Sequence, residues 1–272
     1  MSNDTAYLAL LLDGPLQAWG ASSRFQRRTT ELFPTKSGVV GMVCAAMGLS
    51  KGSAEEQRLL PALAEFDMTV LVIPRIRSNA RTGRTRALDI RRMEDYHTVG
   101  GGYDPRTEPQ SITRTASGKV NQKRGQAVAV VTHRQYLLDA RFGVLLDGAH
   151  SLLGRAADAL RNPVWGVWLG RKTCIPAAPL LVEANGENVF AERRAAFEAL
   201  LLAHYRLSGQ EPPDTLPDES LFDRVLEGTG FTDSIRDVPV SFGDGTSTGP
   251  DKREFAVRQI SRTARSTPED GG

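Results

Sequence analysis

Arginine is the residue through which this chain is best equipped to act. Between Arg75 and Arg124 lie ten Arg and two Lys against five acids, Asp89, Glu94, Asp95, Asp104 and Glu108, while the net charge of the whole chain is only +2. Such guanidinium clusters hold phosphate backbones through bidentate hydrogen bonds and counterion release, and rings set among them stack on unpaired bases. The interleaved rings here are Tyr96, His97 and Tyr103. A solvated basic loop on an ordinary enzyme has the same composition, so other parts of the chain must decide.

Three further clusters carry anion-binding potential. The loop Gly14-Pro15-Leu16-Gln17-Ala18-Trp19-Gly20 leads into Arg24, Arg27 and Arg28, and Pro34-Thr35-Lys36-Ser37-Gly38 opens a helix. Free amides at that helix start, with Lys36, make a phosphate cradle; the alternative is a simple capped start. The Gly-x-x-x-x-Gly-Lys-Ser/Thr spacing of a nucleotide-triphosphate loop is absent. Trp165, Trp168, Gly170, Arg171 and Lys172 set rings beside cations, suited to a base and backbone contact, or else to a Trp pair in the core with surface charges. Arg253, Arg258, Arg262 and Arg265 surround a final strand, where alternation puts Arg258 and Arg262 on one face.

The inventory for catalysis is thin. His97, His133, His150 and His204 are scattered, and only His97, in Asp95-Tyr96-His97-Thr98, lies amid the charge. It could supply acid and base for metal-free RNA cleavage, or serve as a stacking contact. Cys44 and Cys174 have no paired spacing and no histidine placed to complete a zinc site, so neither metal, cofactor nor disulfide is expected.

The elements that must position these residues follow from periodicity. Thr5 to Leu12 reads as a buried strand. Val39, Met42, Val43, Ala46 and Met47 recur at helical spacing, with Ser37 as cap and Gly48 at the end. Ser53 and Glu56 have capping-box spacing before Leu59, Leu60 and Leu63, although Pro61 interrupts. Phe66 to Ile73 is the second strand; Tyr136, Leu138, Ala140, Phe142, Val144 and Leu146 alternate as a single third one. A helix through Leu152 to Leu160 and a last short strand, Val164 to Leu169, complete the series. Strand, helix, strand, strand, helix, strand is the split β-α-β, ferredoxin-like plan of an α+β protein. That plan is an RNA-binding platform in many proteins, though fold alone does not assign function; residues 1–175 are expected to form this domain, with 75–126 as an inserted basic thumb, 176–262 a smaller, mostly β C-terminal lobe, and 263–272 a disordered tail. With 40% hydrophobic residues, a first apolar run, Tyr7 to Leu12, too short to span a bilayer and no positively charged lead before it as a signal peptide requires, a cytoplasmic protein with no membrane contact is expected.

With those residues in view, the chain resembles the CasD family, the CRISPR-associated subunit of the type I-E Cascade surveillance complex. The resemblance rests on Leu12 to Gly20, on Phe33-Pro34-Thr35-Lys36-Ser37-Gly38-Val39-Val40-Gly41, on Asp95-Tyr96-His97-Thr98-Val99, on Tyr136 to Phe142, and on Leu169-Gly170-Arg171-Lys172-Thr173-Cys174. It implies a non-catalytic subunit that caps the 5′ handle of the crRNA, with its thumb beside the backbone subunit CasC and its body beside CasA, in one particle with CasB and CasE. Target DNA is a further candidate partner of the thumb. The implied RNA contacts are Gln17, Trp19, Arg24, Arg27, Arg28, Lys36 and Ser37, then Arg91, Arg92, Tyr96 and His97 in the thumb, then Gly170, Arg171, Lys172 and Arg258. Related type I-C subunits cut the repeat themselves, so a metal-independent endoribonuclease using His97 or Tyr96 is the alternative.

Overall fold

The structure, a computed structural model, describes residues 5–21, 26–79, 81–99, 119, 122–123, 126–127, 129–243 and 253–266. At its centre β1 (Thr5–Asp13) pairs along its whole length with β11 (Arg141–Ala149), from Thr5 opposite Ala149 to Asp13 opposite Arg141. β1 is an uninterrupted apolar run because both faces of the sheet are covered. Leu8, Leu10 and Leu12 enter one core and Ala9 and Leu11 the other, as the two-residue period requires. The first core is closed by α1 (Lys36–Ala46), α2 (Ala54–Ala64) and α3 (His150–Arg161). α4 (Arg193–Ser208) closes the second through Ala196, Phe197, Leu200 and Leu201.

The central pair is extended by β4 (Asp67–Val72) on β11 and by the short β12 (Val189–Phe190) on β1. Residues after 176, set apart in the sequence as a smaller lobe, supply β12, α4 and three further strands of this same sheet. β13 (Asp223–Glu227) lies on β4, then come β15 (Glu254–Thr263) and β14 (Asp233–Ser241). The order is β12-β1-β11-β4-β13-β15-β14, with every pairing antiparallel.

A second sheet is built on β10 (Val130–Leu138). It takes β7 (Arg91–Val99) antiparallel over its full length, β2 (Leu16–Gln17) antiparallel at its end and β3 (Arg27–Arg28) parallel at His133 and Arg134. The excursion between β4 and β10 also contains the hairpin of β5 (Arg75–Ser78) with β6 (Thr85–Leu88), and the small pair β8 (Gln122–Lys123) with β9 (Gln126–Ala127).

Three expectations need correction. The alternating run Tyr136 to Leu146 is two strands in different sheets, because Asp139 turns the chain with φ 52° while its amide donates to Pro15 O at 3.0 Å. Asp is among the few non-glycine residues that tolerate that left-handed geometry. Val164 to Leu169 is no strand. The amides of Val164 and Trp165 instead donate to Ala46 O and Ala45 O, satisfying the end of α1, and the sheet edge beside β1 goes to β12 and a bridge from Leu10 to Leu181. Ser37 does not cap α1; it lies inside the first turn, and the Lys36 amide donates to Asp237 Oδ2 at 2.8 Å. By contrast, Ser53 Oγ accepts from the Glu56 amide at 3.1 Å as its spacing predicts, and α2 runs through Pro61.

Candidate nucleic-acid interface

The parallel register of β3 on β10 sets Arg28 opposite Arg134. From the other side comes the turn after Leu169, fixed by a hydrogen bond from the Ala18 amide to Leu169 O at 3.0 Å. Only glycine fits at position 170, where φ is 96° and a Cβ would stand 1.8 Å from Ala18 O. That close approach delivers Arg171 to the sheet. Its Nη1 donates to Gln135 O at 2.8 Å, its Nη2 to Arg28 O at 2.9 Å, and its guanidinium lies 4.8 Å from the centre of the Tyr136 ring. Arg171 is thus a strut joining β3 to β10 as well as a charge.

Beside it opens a cleft of about 550 Å³, lined by Gly20, Ala21, Arg28, Arg171, Arg253 and Phe255 among others. Burial, then the positive fields of Arg134, Arg171 and Arg253, push the Arg28 guanidinium below its ordinary pKa. Arginine keeps its proton under such pressure, so the convergence amounts to positive potential held in place by three distant parts of the chain. Small residues in the lining leave room for a planar group beside the Phe255 ring. The arrangement suits a phosphodiester and a flanking base.

Beside this cleft β7 runs antiparallel to β10 along its full length. Period-two alternation divides their side chains between two faces. On one, Tyr96 is 66% exposed and stands edge-on to His133 at 5.1 Å, whose Nδ1 lies 2.9 Å from Glu94 Oε1. On the other, His97 Nδ1 lies 3.0 Å from Asp95 Oδ2. Arg91 and Arg92 are exposed at the start of β7, and Arg27 and Lys172 are exposed near the cleft. Among the described residues no group of His, Cys, Asp and Glu is placed to hold a metal ion.

Four of the expected contacts are buried in this chain. Gln17 is fully buried, its Nε2 donating to Leu12 O and Ala140 O at 3.0 and 2.8 Å and its Oε1 accepting from Trp19 Nε1 at 3.0 Å. Trp19 is equally buried, under Gly38 of α1. Lys36 is 3% exposed and pairs with Glu227 at 2.7 Å, so the helix start expected to cradle phosphate is filled by Lys36, Glu227 and Asp237. Arg258, 6% exposed, donates to both oxygens of Asp237 at 2.7 and 2.9 Å and to Glu227 Oε2 at 2.9 Å. These side chains hold α1 to β13, β14 and β15 and face no solvent. Ser37 is half-buried beside them, and Arg24 lies outside the described residues.

The structure adds Arg134 and Phe255, and of the basic cluster around the final strand it brings Arg253 to the cleft. The signal for Arg134 was its place two residues before Tyr136, a cation on the same face of an apolar strand.

The family can now be stated from comparison. A family model described as CRISPR-associated protein (Cas_Cas5) matches residues 7–258. The chain belongs to this Cas5 family. It is 27% identical over 180 residues to the CRISPR system Cascade subunit CasD of Escherichia coli strain K12, an alignment covering 65% of this chain and 70% of that protein. A chain of a solved CRISPR RNA-guided surveillance complex superposes with a TM-score of 0.58 at 26% identity, covering 97% of this Cas5 member and 95% of that chain. A second solved structure, titled a crystal structure of Cas protein, shares the fold with a TM-score of 0.52 at 24% identity, over 96% and 100% of the two chains. No described helix is long and apolar enough to cross a membrane.

Proposed function

We propose that this Cas5 member is a non-catalytic, cytoplasmic crRNA-binding subunit of a Cascade complex, and that the Arg28–Arg171 cleft grips the 5′ handle of the crRNA. The observation that carries the reading is the convergence of Arg28, Arg134, Arg171 and Arg253 beside the cleft. Clustered like charges raise the energy of the free protein and are offset when a polyanion enters. The strand order β12-β1-β11-β4, with helices between the first and second and the third and fourth strands in sequence, supports a ferredoxin-like RNA platform. β7, with Arg91, Arg92 and Tyr96, belongs to a thumb over residues 75–126 that meets CasC and guide RNA, while CasA adjoins the body and CasB and CasE complete the particle.

A second reading has one specific observation behind it. The His97–Asp95 pair has the groups to act as acid and base on an RNA 2′-hydroxyl, with Tyr96 on the opposite face of the strand. The deciding experiment incubates the purified chain in EDTA with end-labelled repeat RNA and mature crRNA, followed by native and denaturing gels. Retention of uncut handle-bearing RNA, weakened by Arg28→Gln with Arg134→Gln, is the expected result. A discrete cut that disappears in His97→Ala would replace the binding role with a processing nuclease.

A further inference from the structure

β3 is held where its own pairing would not keep it. It has two residues, Arg27 and Arg28, and its parallel register sets Arg28 opposite Arg134. Like charges at facing strand positions weaken a pairing, and parallel pairs are the slightly less stable kind. Arg171 brings a third positive charge to the same place. Left to itself this segment would move off β10 and carry Arg28 away from the cleft.

The ties that oppose this lie before, at and after the strand. Before it, the His133 amide donates to Gln26 O at 2.8 Å, and within it Arg171 Nη2 donates to Arg28 O at 2.9 Å. After it, Thr30 Oγ1 accepts from the Trp19 amide at 2.7 Å and donates to Glu31 O at 3.0 Å, while the Glu31 amide donates to Trp19 O at 2.7 Å. Trp19 is in turn fixed to the central sheet. Its Nε1 donates to Gln17 Oε1, and Gln17 Nε2 donates to Leu12 O near the end of β1 and to Ala140 O just before β11. The indole lies so close to α1 that a Cβ on Gly38 would stand 2.8 Å from it.

A chain of hydrogen bonds therefore runs from β1 through Gln17 and Trp19 to Thr30, two residues beyond Arg28. Thr30 is 5% exposed, too buried to serve as an RNA contact, and a buried hydroxyl costs stability unless its bonds are made. Valine has nearly the same shape without that demand, so the hydroxyl is there for the bonds it makes. We propose that Thr30 is a positioning residue for RNA binding: seated on Trp19, it keeps Arg28 on β10 and aimed into the cleft against the repulsion of its neighbours. The assignment rests on the cleft being the RNA site.

The test is a double-mutant cycle on the full chain, with fluorescent single-stranded repeat RNA titrated by anisotropy at several salt concentrations and thermal melts run alongside. Arg28→Gln should weaken binding about fivefold and reduce the salt slope by roughly 0.7, the share of one phosphate on a single strand. Thr30→Val should weaken it about threefold and move the slope the same way. Thr30→Ser keeps the hydroxyl and should restore both. In the double variant Thr30→Val should cost nothing beyond Arg28→Gln, to within about 1.5-fold, because a residue that acts through another is not additive with it. Thr30→Ala, which removes the hydroxyl without needing room for a second methyl, repeats the cycle independently. Additive losses, or a lowered melting temperature with affinity and salt slope unchanged, overturn the positioning role and leave the cleft in place. Arg28→Gln without effect on RNA overturns the cleft itself, and the positioning role with it.

Discussion

The buried cations at the start of α1 and the arginines of the cleft differ in their company. Lys36 and Arg258 are buried with Glu227 and Asp237, each charge met by an opposite one at 2.7 to 2.9 Å. Arg171 is instead met by the carbonyl oxygens of Gln135 and Arg28, and with Arg28 it lines a cleft near Arg134. Both groups look alike as basic residues in a sequence. The difference teaches that a cation's role is set by whether the fold brings it a carboxylate, and here the carboxylates come from β13 and β14, far along the chain.

Breaking the buried network should have the largest effect. Asp237→Ala leaves Arg258 without its bidentate partner and takes the acceptor from the first amide of α1, so denaturant unfolding should register a loss of about 3–5 kcal/mol. If Asp237→Ala leaves stability intact and lowers RNA affinity instead, the two groups have been assigned the wrong way round.

A second buried network sharpens the contrast through pH. Arg141 donates to Asp13 at 3.0 Å, to Ser208 at 2.6 Å and contacts His204 Nδ1 at 2.8 Å. Burial first, then Arg141 and Arg75, with Asp13 opposing, lower the His204 pKa to about 4. The unfolded chain therefore binds the proton that the folded chain refuses, and stability falls as pH drops from about 6.5 toward about 4, then levels. The loss should be on the order of 2 kcal/mol in urea midpoints followed across that range. His204→Gln should flatten that part of the profile.

The cleft should respond in the opposite sense and least of all in stability. Arg28→Gln with Arg134→Gln removes repulsion, so unfolding free energy should stay within about 0.5 kcal/mol or rise. Its RNA affinity should drop about tenfold, with a salt slope reduced by roughly 1 to 2 as phosphate contacts are lost. A stability loss comparable to that of Asp237→Ala would mean that these arginines support the fold.

Much of the frame was legible from local pattern. Leu8 to Leu12 gave a buried strand, Val39 to Met47 a helix, and Ser53 with Glu56 a cap, because each signal is contained in a few neighbouring residues. The break at Asp139 was not, since alternation continues through it and only contact with Pro15 reveals the turn. The burial of Lys36 and Arg258 depends on partners 191 and 21 residues away. Within the cleft, Arg28 and Arg171 were visible as cations near glycines, whereas Arg134 was hidden inside a strand whose apolar residues drew the eye. Long-range pairing decides which charges remain for a ligand, and no short window contains it.

The same pairing sets a timetable for synthesis. Lys36 emerges early from the ribosome, yet Glu227 and Asp237 follow about two hundred residues later and Arg258 later still. Until then the start of α1 carries an unmatched ammonium and free amides, and β4 exposes an edge awaiting β13. A chain stopped before β13 would hold its first two helices and central strands but not the acids that let them bury Lys36, leaving an open, aggregation-prone intermediate.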